Sequence, residues 1–285
     1  MFRRVTVVGL GLIGGSLAQN IRKVFPKTHV HGIVRNGKHL KVLQKTVHTF
    51  SLAKQVNQDP ILPISDLVII ATPINQIAEI FKIVSKRVNK NTMIVDVGST
   101  KEMIVNEISK LDKEKLFVGG HPMAGSDKVG LENAKADLFN NKAFVITPNA
   151  HTNKAKVKKL FIFVKKLGMR PIVMTPAEHD EAVASISHLP FFVASSVVSS
   201  VLNSRTKKAK EFLASTGFRD TTRVAGGPAS WGAEVATQNK KFLLENINSL
   251  KKELFSLEKL IRSGNSKALE KKLKAISQYR NRFKF

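Results

Sequence analysis

RVTVVGLGLIGGSLA, residues 4–18, decides how the rest of the chain is read. Val5 to Val8 form a run of β-branched residues, the composition of a buried strand. Gly9, Gly11 and Gly14 follow at G-x-G-x-x-G spacing, and a helical pattern begins beyond them. Gly9 permits a tight turn, Gly11 lets the backbone approach a pyrophosphate, and Gly14 lets the helix pack closely on the sheet. The first turn, with Leu12, Ile13 and Gly14, then offers free N–H groups and a positive dipole end to an anion. The same reading removes a decoy. MFRR followed by an apolar stretch imitates an export signal, but four glycines argue against a stable signal helix.

About twenty residues downstream lies HGIVRN, residues 31–36. A dinucleotide unit normally ends this strand on a carboxylate that binds the adenosine ribose hydroxyls. Here that place is Val34, followed by Arg35. A carboxylate would repel a 2′-phosphate, whereas an arginine pairs with one. The expected cofactor is therefore NADP in preference to NAD, with Asn36, Lys38 and His39 as further donors.

The pattern continues as alternating strands and helices. Apolar runs at 29–35, 66–72, 92–99, 116–121, 143–147 and 171–174 read as strands, most of them buried on both faces. Stretches 13–24, 75–88, 100–111 and 152–167 read as helices. The expectation is an α/β fold with a doubly wound, mostly parallel sheet. After Pro176 the alternation stops. One long helix over 178–203, kinked near Pro190, is followed by helices over 208–215, 233–264 and 266–283. This divides the chain into a dinucleotide-binding domain, 1–175, and an all-α substrate and dimerisation domain, 176–285. Long amphipathic helices pair readily with a second copy, so a homodimer through this half is expected.

A chain of 285 residues with 42% hydrophobic residues can bury two cores. The absence of cysteine excludes disulfides, cysteine nucleophiles and cysteine metal sites. The net charge of +26 points to anionic ligands. Its lysines, however, recur with apolar residues at helical spacing, as in KAKVKKLFIFVKK (154–166), and no basic stretch is interleaved with aromatics. Small anions are the expected partners, without nucleic acid or membrane, and the expected location is cytoplasmic. No stretch reads as the ~20 apolar residues of a membrane span.

Ligands of such sheets bind beyond the carboxyl ends of the strands. Those ends read ATP (71–73), with Thr72 and Pro73, then DVGSTK (96–101) and GGHPMAGS (119–126). His121 directly follows a strand and precedes a proline that holds its backbone extended, a good placement for proton transfer. Ser99 is placed to hydrogen-bond His121 or a substrate. The helical half adds SHLP (187–190), with His188 before the helix-kinking proline, and DTTRVAGGPASW (220–231). In the latter, Arg223 lies in a small-residue loop suited to clamping a carboxylate, and Trp231 suits a pocket wall or the core equally. No His or carboxylate pair has metal-ligand spacing, so no metal is expected.

VVGLGLIGGSLA, DVGSTK, HPMAGS, SHLP and DTTRVA with the following Pro and Trp, in this order, resemble the prephenate/arogenate dehydrogenase family of tyrosine biosynthesis. The resemblance runs from about residue 3 to 240, and HPMAGS with SHLP is its most specific part. It implies a Rossmann domain, a helical dimerisation domain and an oxidative decarboxylation of a dianionic substrate, prephenate or arogenate, to 4-hydroxyphenylpyruvate or tyrosine. By the resemblance, hydride passes from ring C4 to the nicotinamide and His121 takes the C4 hydroxyl proton. Ser99 supports that histidine, His188 lines the substrate pocket, and Arg223 binds a substrate carboxylate. Asp127 stands where many members carry Glu, a shorter reach into the pocket. No mutase segment precedes Met1 and little chain follows the helices, so a monofunctional enzyme is expected. Two rivals are a β-hydroxyacid-type dehydrogenase, which would place a catalytic lysine in the helical half, and a non-catalytic NADP-binding sensor, which the high charge motivates.

Overall fold

In the computed structural model, which describes every residue except 36, 38, 39, 126, 127, 284 and 285, the opening stretch folds as strand, turn and helix. Strand β1 (Arg4–Val8) leads into helix α1 (Leu12–Val24). There follow β2 (His29–Val34), α2 (Leu40–Thr46), β3 (Thr49–Leu52), β4 (Leu67–Ile70), α3 (Ile77–Ser85), β5 (Met93–Asp96), α4 (Glu102–Leu111), β6 (Phe117–Pro122), β7 (Ala143–Thr147), α5 (Lys154–Lys166) and β8 (Arg170–Val173). The strands form one eight-stranded sheet in the order β3-β2-β1-β4-β5-β6-β7-β8. Its described pairs are parallel except β6 with β7. The order reverses between β1 and β4, which opens a crevice at their carboxyl ends.

Alternate residues of a strand face opposite sides, and both sides are covered here. Val5 and Val7 join Leu17 and Ile21 of α1 and Phe163 and Val164 of α5. Val8 and Ile70 join Ile77 and Phe81 of α3 and Ile104 and Ile108 of α4. This explains the unbroken apolar run of β4, whose four residues are all buried. Two elements, α2 and β3, were not expected. They have seven and four residues, too short for a legible period, and β3 is an edge strand.

The second half opens with a strong local signal. In TPAE, residues 175–178, Thr175 accepts from the Glu178 N–H, the Glu178 carboxylate accepts from the Thr175 N–H, and Pro176 takes the first helical position. Helix α6 (Pro176–Val183) runs through a π-helical turn at Ala184–His188 into α7 (Leu189–Leu202). The expected distortion near Pro190 thus takes the form of a widened turn. Proline lacks an N–H and its ring crowds the carbonyl four residues back, and the π turn accommodates both.

Four helices follow: α8 (Lys207–Leu213), α9 (Thr216–Thr222), α10 (Ala229–Gln238) and α11 (Lys240–Arg262), with α12 (Ser266–Arg280) closing the chain. The single helix expected over 233–264 is broken at Asn239, whose backbone leaves the helical region. The loop expected around Arg223 is a 3-10 turn, Arg223–Gly226. Residues 176–202 correct a further expectation. This 27-residue helix is long and apolar enough to cross a membrane by length and composition. It nevertheless carries the buried polar residues His179, Asp180 and His188, which have protein partners described below.

The chain divides into two compact units, 1–240 and 241–285. Helices α6 to α10 lie in the same unit as the sheet. Within the second unit, Lys272 donates to Glu253 (3.0 Å) and Ser256 (2.6 Å), tying α12 to α11.

Candidate active site

The phosphate cradle follows from three glycines. Gly9 has φ +93°, and a Cβ there would lie 2.6 Å from the Ala71 carbonyl oxygen. A Cβ on Gly14 would lie 2.0 Å from the Gly9 carbonyl oxygen. A Cβ on Gly11 would meet no described atom within 4 Å, so its backbone is open to a ligand. Helix α1 begins with no side-chain cap and no acidic residue in its first turn, leaving the N–H groups around Leu12, Ile13 and Gly14 for an anion. At the facing end of β4 the Thr72 hydroxyl is buried without a partner among the described residues, and Pro73 is exposed beside it. These features fit a dinucleotide. Arg35 is exposed directly after the buried Val34. Asn36, Lys38 and His39, the other expected donors, lie outside the described residues.

The carboxyl ends of β5 and β6 are joined by a buried ion pair. Lys101 Nζ donates to the Asp96 carboxylate and, at 3.0 Å, to the Gly120 carbonyl. Asp96 also accepts from the N–H groups of Gly98 (2.9 Å) and Gly120 (3.3 Å). Both side chains are fully buried. Burial pushes the Lys101 ammonium below its ordinary range, against the opposing pull of Asp96. The pair fixes the backbone immediately before His121.

His121 is half-buried at the end of β6. Its Nδ1 lies 2.8 Å from Nε2 of His179, and His179 Nδ1 lies 2.7 Å from the Asp180 carboxylate. Asp180 in turn accepts from the N–H groups of Lys101 (2.7 Å) and Glu102 (2.8 Å) at the start of α4. The partner of His121 Nδ1 is His179, while the Ser99 hydroxyl accepts from Trp231. Burial first, then the neighbouring His179, Lys101 and His188, hold His121 well below the usual histidine range. It is neutral near pH 7, as a proton acceptor must be.

His188 sits in the π turn, fully buried. Its Nδ1 lies 3.2 Å from the Asn239 amide nitrogen, which also donates to the Asp180 carbonyl at 2.7 Å. Trp231 contacts the His188 ring edge-on at 5.8 Å and Phe191 at 5.3 Å, and its Nε1 donates to Ser99 at 3.2 Å. Trp231 is thus both a packing residue and a link from α10 to the end of β5. Arg223 is exposed and has no ion-pair partner among the described residues. Asp127 lies outside the described residues.

Sequence reasoning missed His179, Asp180, Asn239 and the Asp96–Lys101 pair. The first two carried a signal. They are ionisable residues on the same helix as His188. Nine and eight residues before it, however, they stand about 180° and 80° around the axis, so periodicity alone does not bring them to its face.

Burial holds the pKa of His188 down from 6.5 to about 4. Above pH 6.5 the ring is neutral in both folded and unfolded chains. As pH falls toward 4, the unfolded chain takes up the proton first, so stability is lost across that window, on the order of 3 kcal/mol for this group. The melting temperature is expected to fall between pH 6.5 and 4, and to fall less in His188→Asn, measured by calorimetry.

Comparison with known proteins agrees with this geometry. Residues 17–184 match the family model described as prephenate dehydrogenase, nucleotide-binding domain, and residues 175–275 that of the prephenate dehydrogenase dimerization domain. The chain is 32% identical to the prephenate dehydrogenase of Bacillus subtilis (strain 168), over 97% of this chain and 75% of that one. The crystal structure of prephenate dehydrogenase from A. aeolicus in complex with hydroxyphenyl propionate and NAD+ superposes with a TM-score of 0.91 at 27% identity, covering 99% of this chain and 98% of that one. Synechocystis arogenate dehydrogenase superposes with a TM-score of 0.83 at 31% identity, covering 98% and 99%.

Proposed function

The chain belongs to the prephenate dehydrogenase family of oxidoreductases, and from that premise we propose that it oxidatively decarboxylates prephenate or arogenate with His121 as proton acceptor and NADP as the preferred cofactor. The observation that carries this reading is His121 at the carboxyl end of β6 with its Nδ1 anchored by His179, in a setting whose burial holds the ring below the usual histidine range.

The fingerprint residues Gly9, Gly11, Leu12, Ile13 and Gly14 hold the pyrophosphate, Thr72 and Pro73 border it, and Arg35 pairs with the adenosine 2′-phosphate. The bound nicotinamide supplies the acceptor for the hydride leaving ring C4. His121 takes the proton of the C4 hydroxyl as that carbon is oxidised. The bond from the ring to its carboxylate then breaks, CO₂ leaves, and the electron pair completes the aromatic ring. His121 returns its proton to the phenolate oxygen, so no net proton is consumed. Arg223 pairs with a substrate carboxylate, and Trp231 and Ser99 close one wall. The boundary between nucleotide and substrate functions is placed near residue 175. The helical half, with Ile186, Val198 and Leu202 exposed on one long helix, supplies the homodimer contact.

Initial rates with prephenate and arogenate, each with NADP and NAD, test the reading. Turnover is expected with at least one substrate and faster with NADP. Arg35→Ala is expected to raise the KM for NADP about 10-fold, one lost charge-assisted contact, and to leave that for NAD unchanged. A clear preference for NAD would make Arg35 a solvated loop residue. Absence of turnover with all four pairs would remove the proposed activity.

A further inference from the structure

We propose that Asp180 sets the two pocket histidines in opposite tautomers, His121 with a bare Nε2 that accepts a proton and His188 with an Nε2–H that donates a hydrogen bond. The proposal rests on the reading of His121 as the proton acceptor and deepens it, because it says which nitrogen acts and what fixes it.

The assignment begins with an atom that can only accept. The Asp180 carboxylate already receives two backbone N–H groups from the first turn of α4, and an ionised carboxylate offers only lone pairs. His179 Nδ1, 2.7 Å away, must therefore carry a hydrogen. In a neutral imidazole the other nitrogen is then bare. His179 Nε2 faces His121 Nδ1 at 2.8 Å, so His121 is the donor and its own Nε2 is left with the free lone pair. An acid–histidine pair of this kind fixes ring orientation and tautomer in hydrolytic triads, and here one more imidazole extends the chain.

The second assignment starts from the backbone of the same residue. The Asp180 carbonyl accepts from the Asn239 side chain at 2.7 Å, which identifies that atom as the amide nitrogen. Its second N–H is the one directed at His188 Nδ1. His188 Nδ1 is thus an acceptor and Nε2 carries the hydrogen. That Nε2 is buried without a partner among the described residues. A buried N–H left unpaired is unfavourable, and an oxygen of the anionic substrate would satisfy it. Asp180 reaches one histidine through its carboxylate and the other through its carbonyl. It is a positioning residue for both and touches neither reacting atom.

The groups facing His121 are His179, the Lys101 of the buried ion pair, and His188. Without the Asp180 charge behind His179, these cationic or neutral neighbours leave the developing imidazolium unsupported. The acid limb of the kcat/KM profile then moves to lower pH.

The test combines spectra and kinetics on the full-length protein. Nitrogen-15 NMR of histidine-labelled enzyme, with resonances assigned through His121→Asn and His188→Asn, is expected to show a bare Nε2 on His121 and a bare Nδ1 on His188. A protonated Nε2 on His121, as a doubly protonated His179 would impose, overturns the assignment. Asp180→Asn is expected to lower kcat at least 100-fold and to move the acid limb down by about one pH unit. A loss of kcat with the limb unmoved would make Asp180 a helix cap and nothing more. Because Asp180→Asn also removes a cap and can fail to fold, Asn239→Asp provides an independent arm. It cannot donate to His188, so the ring proton moves to Nδ1, and substrate KM is expected to rise at least 10-fold with the acid limb unchanged. An unchanged KM overturns the assignment at His188. If His121→Asn retained turnover while the spectra were as expected, the functional reading would fail and the tautomers would stand.

Discussion

His121→Asn is expected to lower kcat/KM about 10²–10⁴-fold, the range of a general base, with cofactor affinity unchanged. Asparagine is close in size and can still donate through its amide to His179, so the wall of the pocket stays in place. It has no basic nitrogen for the C4 hydroxyl proton. The cofactor cradle lies on β1, α1 and the end of β4, and His121 is on β6. Titration of cofactor fluorescence should therefore match the unsubstituted protein. Stopped-flow absorbance of reduced nicotinamide gives the rate. A variant with less than a tenfold loss would show that His121 is not the base, as a β-hydroxyacid enzyme with its own lysine would behave.

Lys101→Met is expected to cost about 3–5 kcal/mol of stability, the usual consequence of leaving one member of a buried ion pair alone. Lys101 and Asp96 are completely enclosed, with no solvent to take over either charge. Removing the ammonium strands the carboxylate and also leaves the Gly120 carbonyl without its donor. The melting temperature should fall by about 10 °C. The double substitution Asp96→Asn with Lys101→Met should recover part of the loss, since removing both charges avoids the stranded one. If Lys101→Met melted like the unsubstituted protein, the pair would contribute nothing net to the fold. Activity should drop as well, because the Gly120 carbonyl immediately precedes His121.

The fold was legible where one residue pattern dominates. The glycine spacing placed β1 and α1, and the unbroken apolar runs placed β4, β5 and β6. Candidate site residues could be named where a residue type states its own chemistry, as with His121 after a strand and Arg35 in place of a carboxylate, whereas Trp231 near a helix start suited pocket wall and core equally. What stayed hidden depends on contacts far apart in the chain. Asn239 looks like any polar residue within a helical run. Its value becomes visible only when the chain brings it within 2.7 Å of Asp180, 59 residues earlier. Asp96 and Lys101 stand in a quoted motif, but their pairing requires the turn between them to close beneath β6. The edge elements α2 and β3 are too short to carry a period at all.

The π turn in the long helix has a consequence for how this protein tolerates change. A π turn amounts to one residue more than an α-helix requires, and each residue advances a helix by about 100°. The segment carrying His179 and Asp180 and the segment after Pro190 are therefore phased separately, like two gears on one shaft. The upstream phase is locked to the sheet by the Asp180 contacts with α4. The downstream phase is set by Phe191 against Trp231 and by the buried Ala194, and it turns Val198 and Leu202 outward. The surface of α7 can drift in sequence to match a partner without turning the relay away from His121.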